Sequence, residues 1–315
     1  MDILKLKQAA EIIKNGDLVA FPTETVYGLG ANALNPEAVA KIFVAKERPS
    51  FDPLIVHIAL LSDLEILTQY VDERVYLLAQ KFWPGPLTLV LPKSDLVPDI
   101  VTSGLPTVGI RMPNNKIALD LIKLSGCPIA APSANKFGRI SPTTADHVRK
   151  QLPSVACVLD GGSTTVGIES TVITLNPDGF VILREGVITH SDLETVLPAS
   201  SQAIDQKAEL ASPGLLKSHY SPQKPIFILG KFSQPIDRGK AGFISFSNND
   251  VAGYKFVEYL SRTSNLKEAA VNLFGALHRL EDADVEYIVA ESVPEEGIGL
   301  AIMDRLNKAA HRYSE

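Results

Sequence analysis

Between Pro198 and Pro225 the chain loses the hydrophobic periodicity it shows elsewhere and runs through Ser, Ala, Gln, Asp, Pro and Gly. A stretch of that composition has no apolar face to bury, so it separates a long patterned block from a short one. The 315 residues also exceed the size at which a single core usually stops growing. The reading is two domains and a connection: residues 1–200, a loop over 201–225, and residues 226–315.

Both blocks alternate helical and strand-like signals, the pattern of a mixed α/β layer fold. Leu4, Leu6, Ala9, Ala10, Ile12 and Ile13 form an apolar stripe ended by Gly16, and Leu18 to Phe21 then read as a buried strand. A second helix is signalled by Asn35 as its cap, Pro36 at its first position, and an apolar face of Ala38, Val39, Ile42 and Phe43. Strand-like runs follow at 54–58, 87–91, 107–112, 128–133, 156–160, 170–175 and 180–185. In the second block FILG, FISF and YIVAE alternate with amphipathic helical stretches at 265–280 and 297–311.

Several classes are disfavoured. Hydrophobic residues make up 45% of the chain, yet no run of about eighteen apolar residues is long enough to cross a bilayer. The N-terminal MDILKLKQAAEIIKNG mixes charged and apolar residues, unlike a secretory signal, so a cytoplasmic protein with no membrane association is expected. Cys127 and Cys157 form no CxxC pair, so neither a disulfide framework nor a structural zinc site is indicated. Thirty basic residues against 36 acidic ones give a net charge of −6, which argues against a broad nucleic-acid footprint and leaves a local basic cleft open.

Candidate chemistry concentrates in a few segments. FPTETVYGLGANAL (21–34) contains Gly28, Gly30 and Ala33 in G-x-G-x-x-A spacing, but the strand before and the helix after lie too far away for a dinucleotide fingerprint. The glycines read as an irregular turn, and no Walker A sequence is present. In AKERP, Pro49 disfavours helical geometry at Arg48, so Lys46 and Arg48 stand at a helix end. There they either converge on one polyanion or complement the helix dipole. After the strand at 128–133, extended geometry sends Ser133 and Asn135 to one face, where a hydroxyl beside an amide suits phosphate or carboxylate oxygens, or simply makes a turn. Arg111 and Arg184 each end a strand-like run, where open α/β sheets bind ligands. His57 sits near the end of LIVHI and is open to a structural or a catalytic reading. Thr23 and Thr25 flank Glu24, and Ser170 and Thr171 follow Glu169, hydroxyls that in turns mostly serve the backbone.

Taken in order, FPTETVYGLGANAL, AKERP, PLIVHI, FWPGPLTLVLP, TVGIRMP, PIAAPSANKFGRISPT, DGG, GIESTVI and ILREG resemble the YrdC-like threonylcarbamoyl-AMP synthase family over roughly residues 5–197. SPGLLKSHYSP and GIGLAIMDRLNKAA resemble its long form, which carries a further C-terminal domain. The resemblance implies a catalytic domain over 1–200 built on a twisted mixed sheet flanked by helices, and a smaller Rossmann-like α/β domain over 226–315. It implies a nucleotidyltransferase that condenses L-threonine with bicarbonate to a carbamate, whose oxygen attacks the α-phosphorus of ATP to give threonylcarbamoyl-AMP and pyrophosphate. Downstream tRNA threonylcarbamoyl transferase machinery would use that product to modify tRNA, and weak tRNA binding by the chain itself stays open. The K-x-R and S-x-N signatures fall on Lys46 and Arg48 and on Ser133 and Asn135, which the resemblance implies to be catalytic. It implies ATP contacts from Lys46, Arg48, Asp52, Thr107, Ser133, Ser141, Arg184 and Tyr220, and threonine contacts from Thr23, His57, Arg111 and Ser170. Mg²⁺ is implied on the ATP phosphates, mostly water-ligated. One departure is Asp52, in Phe51-Asp52-Pro53-Leu54, where the family commonly reads D-N-P-L: an acidic group there either recruits the metal or repels phosphate. SPGLLKSHYSP (212–222) reads as a lid touching the nucleotide through His219 and Tyr220, or as an ordinary tether.

Overall fold

The computed structural model describes residues 2–49, 51–202, 219–232, 235–247 and 250–313. Helix α1 (Ile3–Lys14) starts where the Asp2 carboxylate accepts from the Leu4 N–H, and its stripe of Leu6, Ala9, Ala10 and Ile13 is buried. Strand β1 (Val19–Phe21) then pairs antiparallel with β2 (Gly28–Asn32), a strand where the sequence suggested a turn. The glycines misled because their role is packing. A Cβ on Gly30 would stand 2.7 Å from both the Ile129 and Phe21 side chains, so only glycine admits this close approach.

Helix α2 (Pro36–Lys46) begins as expected, with the Asn35 side chain accepting from the Glu37 and Ala38 N–H groups. It ends on Glu47, whose left-handed φ of 54° turns the chain so that Lys46 and Arg48 are both buried and Glu47 stays in solvent. The remaining elements of this unit are β3 (Ile55–His57), α3 (Asp63–Leu67), α4 (Glu73–Phe82), β4 (Leu87–Pro92), α5 (Asp99–Thr102), β5 (Thr107–Arg111), α6 (Lys116–Ser125), β6 (Ile129–Ala130), α7 (Ala145–Gln151), β7 (Cys157–Val158), β8 (Thr171–Asn176), β9 (Gly179–Arg184) and α8 (His190–Glu194).

The strands form one nine-stranded mixed sheet in the order β7-β1-β2-β6-β3-β5-β4-β8-β9. Two consequences place the site. His57 and Arg111 are register partners in the parallel β3–β5 pair, so their side chains leave the same face. Strand β4 is antiparallel to β5, β8 is parallel to β4, and β9 is antiparallel to β8. Strands β5 and β9 therefore run the same way, and Arg111 and Arg184 end at the same edge of the sheet.

The second unit contains β10 (Ile226–Ile228), β11 (Ala241–Ser245), β12 (Phe256–Tyr259), α9 (Leu266–Asp282), β13 (Tyr287–Ala290) and α10 (Ile298–Ala310). Its sheet, β10-β13-β11-β12, is parallel throughout, as expected where helices cross between strands. The two units share apolar material. Val26, Ile140 and Ile168 of the first unit, together with Tyr220, belong to the cluster built around α9 and α10. The units also meet at Gly167, φ 82°, where a Cβ would lie 2.4 Å from Val271 Cα of α9. No described helix is long and apolar enough to cross a membrane.

Candidate active site

Burying a charge is expensive unless it is paired, so the distribution of buried charges locates function. Among the described residues the buried Lys, Arg, Asp and Glu side chains are Lys46, Arg48, Arg111, Arg184 and Arg305 with Glu24, Asp52 and Glu169. All eight gather around one cleft. Thr23, Thr25, Arg48, His57, Arg111, Ser133, Glu169, Ser170, Arg184, His219 and Tyr220 are among the residues lining it.

The cations are held by geometry that the backbone dictates. Lys46 Nζ donates to the Ser133 carbonyl at 2.6 Å and, more closely still, to the Asn135 carbonyl. Burial, with Arg48 beside it, pushes the Lys46 ammonium well below its usual pKa. Arg48 Nε donates to the Asp52 carbonyl at 3.2 Å, and its Nη2 reaches the Pro53 carbonyl at 3.0 Å and the Asp52 carboxylate at 2.9 Å. Burial raises the Asp52 pKa and the Arg48 charge opposes that rise. Asp52 is thus the partner of Arg48, an arrangement that neither sequence alternative included.

Arg111 donates through Nε to the Gly85 carbonyl at 3.2 Å and through Nη1 to the Thr25 hydroxyl at 2.9 Å. Its Nη2 lies 2.7 Å from a Glu24 oxygen, yet the two make no aligned hydrogen bond, so this contact is an ion pair by distance alone. Arg184 donates through Nε and Nη2 to the Ser170 carbonyl at 3.1 and 3.0 Å, and through Nη2 to the Ser170 hydroxyl at 3.0 Å. That hydroxyl also pairs with Thr88 Oγ1 at 2.8 Å. The Thr23 hydroxyl donates to the Val26 carbonyl at 2.6 Å, folding TETV into a tight turn. Burial holds the His57 imidazole down at about 3, so it is neutral at pH 7, and its Nδ1 is buried without a partner.

The sequence candidates divide accordingly. Thr23, Arg48, His57, Arg111, Ser133, Ser170, Arg184 and Tyr220 line the cleft. Lys46 and Asn135 lie behind it: Asn135 Nδ2 donates to the Lys136 and Arg139 carbonyls at 2.9 Å and ties down that loop. Ser141 reaches the lining through Glu169, donating to its Oε1 at 2.5 Å. Thr107 does not join the others, because it starts the strand that Arg111 ends and sits beside Pro92, about 13 Å along an extended backbone. Of the proposed lid over 212–222, residues 212–218 lie outside the described residues. His219 and Tyr220 are described and are buried against the cleft, with Tyr220 at φ 61° and its ring 5.4 Å from Phe274.

Sequence reasoning named Thr25, Glu24 and Glu169 without giving them a part in the site, and it missed Arg305 altogether. A signal existed for Arg305. Ile298, Ala301, Ile302, Arg305, Leu306 and Ala309 recur at the spacing of one helix face, which puts an arginine in a stripe that must be buried.

Among the described residues, then, a mixed-sheet α/β protein gathers five buried cations against three buried carboxylates around this cleft. The sequence model described as "Telomere recombination", of the Sua5, YciO and YrdC proteins, matches residues 11–186, and that described as "Threonylcarbamoyl-AMP synthase, C-terminal domain" matches residues 188–311. The chain belongs to this family, in the two-domain form. It is similar to the threonylcarbamoyl-AMP synthase of Pyrococcus abyssi, 44% identical over 97% of this chain and 94% of that one. It is likewise similar to that of Bacillus subtilis, 44% identical over 97% and 93%. The crystal structure of P. abyssi Sua5 complexed with L-threonine superposes with a TM-score of 0.86 at 42% identity, covering 99% of this chain and 95% of that one.

Proposed function

We propose that the chain is a threonylcarbamoyl-AMP synthase, which joins L-threonine, bicarbonate and ATP to give threonylcarbamoyl-AMP and pyrophosphate. The observation that carries this reading is the excess of buried cations in a chain of net charge −6. Such an excess is tolerated when the ligand supplies the missing negative charge, as a nucleoside triphosphate does. Transfer at phosphorus depends mainly on positioning and on charge neutralisation; Arg48 and Arg184 in the cleft wall would supply both, and Lys46 behind it would act by holding the Ser133–Asn135 backbone.

Threonine fits the other end of the cleft. Arg111 Nη2 makes no aligned bond to Glu24, so its N–H groups can take the substrate carboxylate. His57, neutral and with Nδ1 unpartnered, offers a polar contact without adding charge. Thr23 and Ser170 line the same space. Glu24, Asp52 and Glu169 are each turned to a guanidinium, and no carboxylate cage for a metal is found among the described residues. Mg²⁺, mostly water-ligated, would enter on the ATP phosphates and offset part of their charge. The free space is about 50 Å³, room for only a few water molecules. In the lid reading, His219 and Tyr220, which line this space, swing aside to admit threonine and the nucleotide and close again over a water-sensitive product. A mixed anhydride of this kind needs a prompt acceptor, so the expected partner is the machinery that transfers threonylcarbamoyl groups to tRNA, in the cytoplasm.

The test is mass spectrometry of products after incubation with ATP, Mg²⁺, bicarbonate and single amino acids. Threonine should give threonylcarbamoyl-AMP with one pyrophosphate per adenylate. Valine, which lacks the hydroxyl, should be disfavoured by about a hundredfold or more if the polar contacts are as proposed. Absence of any adenylate product would refute the assignment.

A further inference from the structure

The first unit supplies the whole sheet under the cleft, yet one of the buried cations comes from the second. Arg305 lies on α10, is fully buried, and points back across the boundary between the units. Its Nε sits 3.2 Å from Glu169 Oε2, its Nη1 donates to the Glu185 carbonyl at 2.5 Å, and its Cζ lies 5.7 Å from the centre of the Tyr220 ring. Glu169 faces the cleft, and its other oxygen, Oε1, accepts from the Ser141 hydroxyl at 2.5 Å. Glu185 follows Arg184, and Glu169 precedes Ser170, which Arg184 holds. One guanidinium therefore touches the backbone beside Arg184, the carboxylate that orients Ser141, and the face of Tyr220.

We propose that Arg305 is a positioning residue for nucleotide binding, through which the second domain sets the ATP half of the cleft. It cancels the charge of Glu169, which would otherwise oppose the phosphates, and it fixes that carboxylate so that Oε1 keeps Ser141 in place. ATP carries several negative charges and zwitterionic threonine carries none in sum. The influence of Arg305 therefore falls chiefly on ATP: Arg305 makes no contact with Thr23, His57 or Arg111, and of the threonine contacts only Ser170, next in sequence to Glu169, adjoins its network. Gly167, pressed on the backbone of α9, supports the same arrangement by seating the loop that ends in Glu169 and Ser170 directly on the second domain.

The inference rests on the proposed synthase activity, and its test keeps the two apart. Steady-state constants for ATP and for threonine are measured on the intact wild-type chain and on Arg305→Met, Arg305→Lys and the pair Arg305→Met with Glu169→Gln. Arg305→Met should raise the KM for ATP by about tenfold or more and leave that for threonine within about twofold, because a lost charge-assisted contact is felt only where it acts. Adding Glu169→Gln should bring the ATP constant back to within about threefold of wild type, since no buried charge is then left uncompensated. If Arg305→Met does not fold, Arg305→Lys, which keeps the charge but not the fork, should show the same split at a smaller amplitude of about threefold. Equal movement of both constants, no movement in either, or a failure of Glu169→Gln to restore ATP binding would each overturn the inference. A wild-type chain that makes no adenylate would instead overturn the function on which it stands.

Discussion

Arg48 shows how much one side chain at this site carries. Three backbone and carboxylate partners hold it with its guanidinium in the cleft lining. Arg48→Ala should weaken ATP use by ten- to a hundredfold, the equivalent of losing about 1.5 to 3 kcal/mol of charge-assisted contact, and Lys46→Ala should weaken it as well by releasing the Ser133 and Asn135 carbonyls that Lys46 holds. Arg48→Ala should also lower thermal stability, because Asp52 is left as a buried charge without its partner. Pyrophosphate release assayed beside a melting curve separates the two effects. Unchanged release in both folded variants would take these residues out of the active site. Arg48, Arg111 and Arg184 were legible in the sequence because a proline or a strand end announces where each must sit. Glu24 and Glu169 were not, since a carboxylate in a turn looks the same whether it meets solvent or a guanidinium. Only the fold brings Glu24 to Arg111, from a loop 87 residues earlier in the chain.

At the level of elements, the contact between α7 and α9 includes two stacked histidines beside the Lys150–Asp282 ion pair. His147 and His278 stack with ring centres 3.7 Å apart, and His278 Nε2 lies 3.1 Å from the Ser141 carbonyl. Burial pushes the pKa of His147 down to about 4 and that of His278 down to about 3, with Lys150, Arg279, Asp146 and Asp282 adding smaller effects of both signs. Both folded values lie below the unfolded value of about 6.5, so the unfolded chain binds more protons throughout that interval. Stability from the neutral pair is therefore complete above about pH 6.5 and is lost as the pH falls toward 4. For His278 the loss between pH 6.5 and 5 is about 2 kcal/mol. The melting temperature of His278→Gln should fall less steeply over that range than wild type, while parallel curves would show that the stack does not titrate in this way. Helices α1, α2, α9 and α10 and most strands could be anticipated from periodicity, because their apolar positions face a core at fixed spacing, whereas α3 to α8 were not read from the sequence. Strand β2 could not, since glycines chosen for close packing against Phe21 and Ile129 read as turn residues. The meeting of His147 and His278 depends on where α9 docks, which local pattern does not encode.

Across the whole molecule, composition and site point in opposite directions: the chain is acidic in sum, while among the described residues the buried charge is cationic in excess. Sequence showed two patterned blocks and a break between them, but it gave no sign that the blocks share a core, because Val26, Ile140 and Ile168 sit in segments that look like loops of the first. Those three residues pack into the cluster around α9 and α10. Their position predicts that the units would stay together without the peptide link between them. If a protease site is placed between residues 203 and 218 and cut, the fragments should stay associated through size-exclusion chromatography and melt in one transition. Fragments that elute apart would show that the shared cluster is too weak to hold them. A nicked protein that stays whole is in effect a heterodimer, and its two chains could be produced separately and mixed. The second half then behaves as a subunit whose arrival completes the first, and catalytic output becomes a function of how much of each is present.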